Sequence, residues 1–149
     1  MGRTSTATST KALLWLAPVL VVLFSGGGGV RPAAAKHDRC DNGAISGSYG
    51  YTVNGTNLGV GLVAAVGRVT SDGRGNLTAT DTLSAAGTIL HRTITGSYAV
   101  NADCTGSGQF TDNFGLTVHL DFVVNNGGDE FQFIQTDPGT VFTGLAKKI

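Results

Sequence analysis

Beyond Gly47 the chain alternates. Short runs rich in threonine, valine and aromatic residues carry apolar side chains at every second position, and clusters of glycine, asparagine and aspartate separate them. Such clusters fall at Asp72-Gly73-Arg74-Gly75, Ser84-Ala85-Ala86-Gly87, Asn101-Ala102-Asp103, Asp112-Asn113-Phe114-Gly115, Asn125-Asn126-Gly127-Gly128 and Asp137-Pro138-Gly139-Thr140. A period of two marks strands with one buried face, and turn signals at near-even spacing mark an all-β barrel or sandwich. The pattern predicts strands over 45–53, 62–71, 76–84, 88–100, 106–111, 116–125, 130–137 and 141–147. About eight antiparallel strands joined by tight turns close into a small up-and-down β-barrel, which removes exposed edges.

Alternation also predicts the two faces, because a strand reverses its side chains at each step. Setting Ser71 opposite Asn76 and Leu83 opposite Thr88 puts Leu62, Ala64, Val66, Arg68, Leu77, Ala79, Asp81, Leu83, Leu90, Arg92, Ile94 and Tyr98 on one face. Tyr98 opposite Ser107, Thr111 opposite Leu116 and Val124 opposite Phe131 add Gln109, Val118, Leu120, Phe122, Phe133 and Gln135. This face collects most of the large apolar residues and is the expected interior. The other face collects threonines, together with Val63, Ala65, Gly67 and Val69. The segment Asn54–Gly59 is expected to be a loop, and one bulge anywhere reverses the assignment beyond it.

The first stretch stands apart from this pattern. Arg3 and Lys11 precede an uncharged apolar run from Ala12 to Phe24, followed by four glycines and Ala33-Ala34-Ala35. That order reads as a secretory signal peptide over 1–35 with an A-x-A cleavage site. Pro18 and the glycine run weaken a membrane-spanning helix there, so no stable membrane insertion is expected after cleavage. The expected organisation is a leader over 1–35, an N-terminal segment over 36–46 and a barrel domain over 47–149. The predicted location is secreted or periplasmic. Past Ala35 the chain has seven basic and ten acidic side chains, a net charge of −3. Scattered, mildly acidic charge argues against a phosphate-backbone partner, so no nucleic acid is expected.

Cys40 and Cys104 both lie in the secreted part, and two cysteines in an oxidising compartment form one disulfide. Up-and-down order supports the pairing. The turn between the fourth and fifth strands returns to the end of the barrel where the first strand starts, and Cys104 ends that turn. Closing so long a loop stabilises the fold by about 4 kcal/mol in the chain-entropy model.

Several interior positions are polar. Arg68, Asp81, Arg92, Gln109 and Gln135 point inward in this register, and Tyr98 brings a hydroxyl. Buried charge has to be paired. Two arginines against one aspartate leave a positive remainder that suits an anionic group on a ligand. The alternative is a closed ion network near a barrel mouth, with its tips in water. His119 and Asp121 form an H-x-D pair, an arrangement that can bind a metal or act as an oriented base. They face outward here, and a solvated surface pair is the plainer reading. The cysteine spacing fits no zinc motif, the glycine clusters precede no helix and so are not phosphate loops, and no Ser-His-Asp set is visible. No metal or cofactor is expected.

Gly47-Ser48-Tyr49 resembles the opening strand of the calycin barrels, the lipocalin and avidin group. There a G-x-Trp motif sits under a basic residue from near the last strand. Tyr49 stands in place of Trp, and Lys147 is the basic counterpart. From Gly47 through Phe133-Ile134-Gln135-Thr136-Asp137-Pro138-Gly139-Thr140 the chain also resembles small secreted bacterial β-barrel proteins of no assigned function. These resemblances imply a secreted barrel and no particular activity. Three functions remain open. The first is a barrel that binds a small apolar or amphipathic ligand in its lumen, with homo-oligomerisation left open. The second is a barrel enzyme resembling allene oxide cyclase, which needs shape and one or two polar groups. The third is a non-catalytic envelope or surface module with a filled core. The residues favour a binder over an enzyme.

Overall fold

A computed structural model describes residues 40–149, so the leader and its cleavage site lie outside the described residues. A 3-10 turn, Asn42–Ile45, leads into eight strands: β1 Gly47–Asn57, β2 Gly61–Ser71, β3 Asn76–Ala85, β4 Thr88–Val100, β5 Thr105–Asp112, β6 Thr117–Asn125, β7 Glu130–Gln135 and β8 Thr140–Lys148. Each pairs antiparallel with the next, and β8 pairs with β1, so the sheet is a closed up-and-down barrel. The expected fold class is the observed one. The disulfide Cys40–Cys104 is present, where the topology put it. The predicted loop at Asn54–Gly59 is mostly strand, since β1 runs on to Asn57 against both β2 and β8.

A recurrent pairing shapes the wall. Inward aromatic side chains sit opposite glycines on a neighbouring strand: Tyr51 with Gly67, Phe110 with Gly96, Phe122 with Gly106, Phe133 with Gly144, and Phe142 with Gly55. Each of the four phenylalanine rings lies down over the bare backbone beside it, while Gly67 opposite Tyr51 makes room for Asp81. A Cβ on Gly106 would stand 2.3 Å from the Phe122 ring, and one on Gly144 would stand 2.1 Å from the Phe133 ring. Strand glycines therefore accommodate rings flat against the wall. Rings held this way fill less of the barrel's centre.

Side-chain parity departs from expectation at three turns. Ser71 pairs with Leu77, one residue beyond Asn76. The cause lies in the turn. The Asp72 carboxylate accepts hydrogen bonds from the backbone N–H groups of Arg74 (2.7 Å) and Asn76 (3.0 Å) and from the Asn76 side chain (2.7 Å). Gly73 and Gly75 take the left-handed φ values of 72° and 110° that only glycine adopts freely. The Asn76 side-chain bond leads, with the two backbone bonds behind it, in lowering the Asp72 carboxyl to about 2. The loop thus absorbs one residue more than a tight turn, and β2 turns over. Val63, Ala65, Gly67 and Val69 face inward, while Leu62, Ala64, Val66 and Arg68 are exposed or outward.

A second slip occurs between β4 and β5, where Tyr98 pairs with Gly108 instead of Ser107. The turn holds Cys104 at a φ of 68°. Gln109 therefore lies on the outer face, and Gly106, Phe110 and Asp112 lie inside. The third slip, Thr111 with Thr117 in place of Leu116, reverses the second. From there Val118, Leu120, Phe122, Val124, Phe133 and Gln135 face inward as expected, in the expected β6–β7 register. At the β3–β4 turn Leu83 pairs with Leu90 rather than Thr88. A shift of two preserves the faces.

Candidate functional site

The two ends of the barrel differ. At the end where β1 begins, the 3-10 turn Asn42–Ile45 folds under the strands and stoppers the opening. Ile45 is 3 % exposed and Tyr49 is fully buried. The Tyr49 hydroxyl donates to the Gly128 carbonyl (2.6 Å), and the Tyr98 hydroxyl donates to the Asn42 carbonyl (3.1 Å) and accepts from Ser71 Oγ (2.5 Å). Asn42 Oδ1 accepts from the Val100 N–H at 2.8 Å. The disulfide ties this stopper to the β4–β5 turn. The Lys148 ammonium stands 5.8 Å from the centre of the Tyr49 ring, and Lys147 instead pairs with Glu130 at 3.3 Å. The basic residue over the first-strand aromatic is therefore Lys148, not the expected Lys147. The extra residue at the end of β8 reaches back over the stopper.

Above the stopper the lumen is hollow. A cavity of about 520 Å³ opens toward the turns at Leu58–Val60, Ala86–Gly87, Asn113–Leu116 and Thr136–Gly139. Its wall is largely apolar, with Val69, Leu77, Leu83, Leu90, Phe131 and Phe133 among its residues. Pockets of about 300–1,000 Å³ with a few placed polar groups are typical of small-molecule sites.

Three charged side chains meet in the wall. Asp81 and Arg92 are directly opposite each other on β3 and β4. Arg92 Nε donates to Asp81 Oδ1 at 2.9 Å and Nη2 to Oδ2 at 2.5 Å, a two-pronged charge-assisted pair. The Tyr51 hydroxyl donates to Asp81 Oδ2 at 2.7 Å. Arg92 Nη1 faces Asp112 Oδ2 at 3.6 Å. The three side chains are nearly closed off from water, at 0 %, 14 % and 6 % exposure for Asp81, Arg92 and Asp112. Burial pushes the Tyr51 hydroxyl well above its ordinary range, and the hydrogen bond and charge of Asp81 push it further. Burial alone would lower the Arg92 guanidinium, but the hydrogen bonds and charge of Asp81 outweigh it and hold Arg92 cationic.

Of the residues expected to form a site, Asp81, Arg92 and Gln135 line or flank the lumen. Arg68 does not. It lies outside and donates from Nη2 to Ser48 Oγ at 2.9 Å. Gln109 is likewise exposed, for the register reason given above. Tyr98 points inward but is consumed by the stopper network. The sequence reading missed Asp112, which shares the parity of Phe110 once the β4–β5 slip is allowed for. The charge balance therefore reverses. One arginine stands between two carboxylates, and the expected positive remainder is a negative one.

His119 and Asp121 are exposed on the outer face as expected, but the partner of His119 is Asp137, not Asp121. His119 Nδ1 and Asp137 Oδ1 are 2.7 Å apart, and Asp137 Oδ2 accepts from the His119 backbone N–H at 2.8 Å and from Gln135 Nε2 at 2.9 Å. Burial pushes the Asp137 carboxyl up, but the His119 and Gln135 hydrogen bonds outweigh it and hold it below its ordinary value. This cluster pins the turn between β7 and β8 at the open mouth. Among the described residues no group of three or more His, Cys, Asp or Glu side chains is placed to hold a metal ion. No described helix is long and apolar enough to cross a membrane.

Known structures share the fold. The chain is similar to a redesigned β-barrel, mFAP1, solved bound to DFHBI, with a TM-score of 0.56 at 14 % identity over 72 % of this chain and 97 % of that one. A second redesigned barrel, mFAP0, also bound to DFHBI, aligns with a TM-score of 0.55 at 14 % identity over 70 % and 99 %. A de novo designed fluorescence-activating β-barrel aligns with a TM-score of 0.55 at 11 % identity over 71 % and 94 %. No protein-family model and no curated protein sequence matches the chain.

Proposed function

We propose that this protein is a secreted or periplasmic β-barrel that holds a small apolar or amphipathic ligand in its lumen. The carrying observation is the cavity of about 520 Å³, walled by apolar side chains, closed at one end and open at the other. A filled-core surface module has no use for such a space. The disulfide supports an oxidising compartment, and Lys148 over Tyr49 supports the resemblance to lipocalin and avidin barrels. That two barrels of this shape are solved with DFHBI supports a ligand in the lumen.

Titration with the neutral fluorophore N-phenyl-1-naphthylamine tests the reading. Leu83 lines the cavity opposite Ala65 and Leu90. The parent protein gives a saturable rise in fluorescence, and Leu83→Trp, which narrows the chamber, weakens the fluorophore's binding while keeping the parent's circular dichroism and melting. A narrowed variant that takes up the fluorophore as well as the parent does overturns the lumen as the site.

A further inference from the structure

The ion network in the lumen is closed on one side and open on the other. Both oxygens of Asp81 are engaged, receiving two bonds from Arg92 and one from Tyr51. Those bonds occupy Nε and Nη2 of Arg92. Nη1 is left, and among the described residues it makes no hydrogen bond. Asp112 is divided in the same way. Its Oδ1 accepts from the backbone N–H groups of Phe114 (2.9 Å) and Leu116 (3.0 Å), which shapes the β5–β6 turn. Its Oδ2 accepts no hydrogen bond from any described residue and faces Nη1 across 3.6 Å, too far for a direct bond of ordinary length. Both residues line the cavity. A donor and an acceptor, each tied down by its other atoms, thus stand side by side in an apolar chamber. The Asp112 side chain is only 6 % exposed.

We propose that the gap between Arg92 Nη1 and Asp112 Oδ2 is the head-group site of the lumen, and that it takes a neutral group able to accept one hydrogen bond and donate another, a hydroxyl or a primary carboxamide on an apolar body. The assignment rests on the lumen being the binding site. Such a group accepts from Nη1 and donates to Oδ2, and leaves neither atom unsatisfied when the ligand expels water. A carboxylate meets Arg92 already neutralised by Asp81, with Asp112 facing it at close range. An ammonium pairs with Asp112 but leaves Nη1 without an acceptor and presses against the guanidinium. A carboxylate also loses its hydration on entering, with no free counter-charge in return.

Displacement of N-phenyl-1-naphthylamine by four matched compounds, decanamide, decan-1-ol, decanoate and decylammonium, tests this. Decanamide and decan-1-ol displace it at concentrations at least about tenfold lower than either ion, the difference that one charge-assisted hydrogen bond makes. In Asp112→Asn the amide oxygen still caps the Phe114 and Leu116 N–H groups, so the turn persists. The repulsion is gone there, decanoate gains about tenfold and the preference against it disappears. Equal displacement by all four compounds, or an unchanged ranking in Asp112→Asn, overturns the head-group site while leaving the lumen in place. Failure of the fluorophore and all four compounds to bind the parent protein overturns both.

Discussion

The two ends of this barrel are made from one continuous ribbon of paired strands, yet one end is stoppered and the other is open. The strands do not make the difference. The closed end is sealed by residues before the first strand, Asn42–Ile45, by the disulfide and by the β6–β7 turn, where a Cβ on Gly128 would collide with the Ala44 carbonyl at 1.8 Å. Its tyrosine hydroxyls are spent on backbone carbonyls. The open end has only short turns, and it exposes Leu58 and Phe114, at 78 % and 61 %, around a chamber whose polar atoms are partly unspent. A closed barrel of this size can be core along its whole length. Here the apolar material is concentrated low down, where Tyr49 and Phe131 meet edge to face at 5.2 Å, and the upper half is left hollow.

The comparison is broken most strongly at the stopper. Replacing Cys40 and Cys104 together by serine releases a loop spanning 64 positions and costs about 4 kcal/mol in the chain-entropy model, read as a lower urea midpoint. Gly106→Ala, at the same end, drives a methyl into the Phe122 ring and the Ala99 carbonyl, and costs about 1–3 kcal/mol by overpacking. The matching substitution in the open-end turn, Gly87→Ala, meets no atom within 4 Å, but it is strained by its φ of 88° and costs about 1 kcal/mol, so it falls below Gly106→Ala in the same assay.

Tyr51 sharpens the contrast through pH. Its folded-state pKa is raised, first by burial and then by the hydrogen bond and charge of Asp81. The stability this represents is complete below the unfolded value near 10 and is lost as the pH climbs above it, because the unfolded chain then gives up a proton that the folded one keeps. The unfolding free energy, read from urea melts, therefore falls with pH above about 10, with a slope of up to about 1.4 kcal/mol per pH unit from this group. Tyr51→Phe shortens that slope and lowers stability at neutral pH by about 1.5 kcal/mol, the worth of a hydrogen bond to a charged group. A slope unchanged in Tyr51→Phe refutes the assignment of the alkaline loss to this hydroxyl.

The smallest effect belongs to the mouth. His119 is half exposed, and water screens its pair with Asp137, so His119→Ala changes the unfolding free energy by less than about 1 kcal/mol. The lowered Asp137 carboxyl adds stability above its unfolded value near 3.8 that is lost as pH falls through its folded value. His119→Ala reduces that acid loss, which a midpoint series from pH 6 down to about 2.5 measures.

Much of this was legible in the residues themselves. Alternation and turn chemistry are local, so the strands, their closure and the disulfide could be read along the chain. Asp81, Arg92 and Gln135 keep the inward parity read from the sequence because an even number of register slips, or a slip of two, separates their strands. Arg68 and Gln109 were not, because a turn that consumes one residue more than its sequence announces divides each from those strands. Asp112 was hidden for the same reason. It reads as turn chemistry, and its Oδ1 does hold a turn while Oδ2 looks into the chamber.

The order of residues alone determined an eight-stranded ring with a bonded cysteine pair at its start, since hydrogen-bonded ribbons with period two and short links have few other ways to bury one face. Which face of β2 and β5 is buried, and so whether the chamber carries surplus positive or negative charge, was decided only by the three-dimensional turns. A side chain's parity is carried through each turn by its hydrogen bonds, and Asp72 alone accepts three of them.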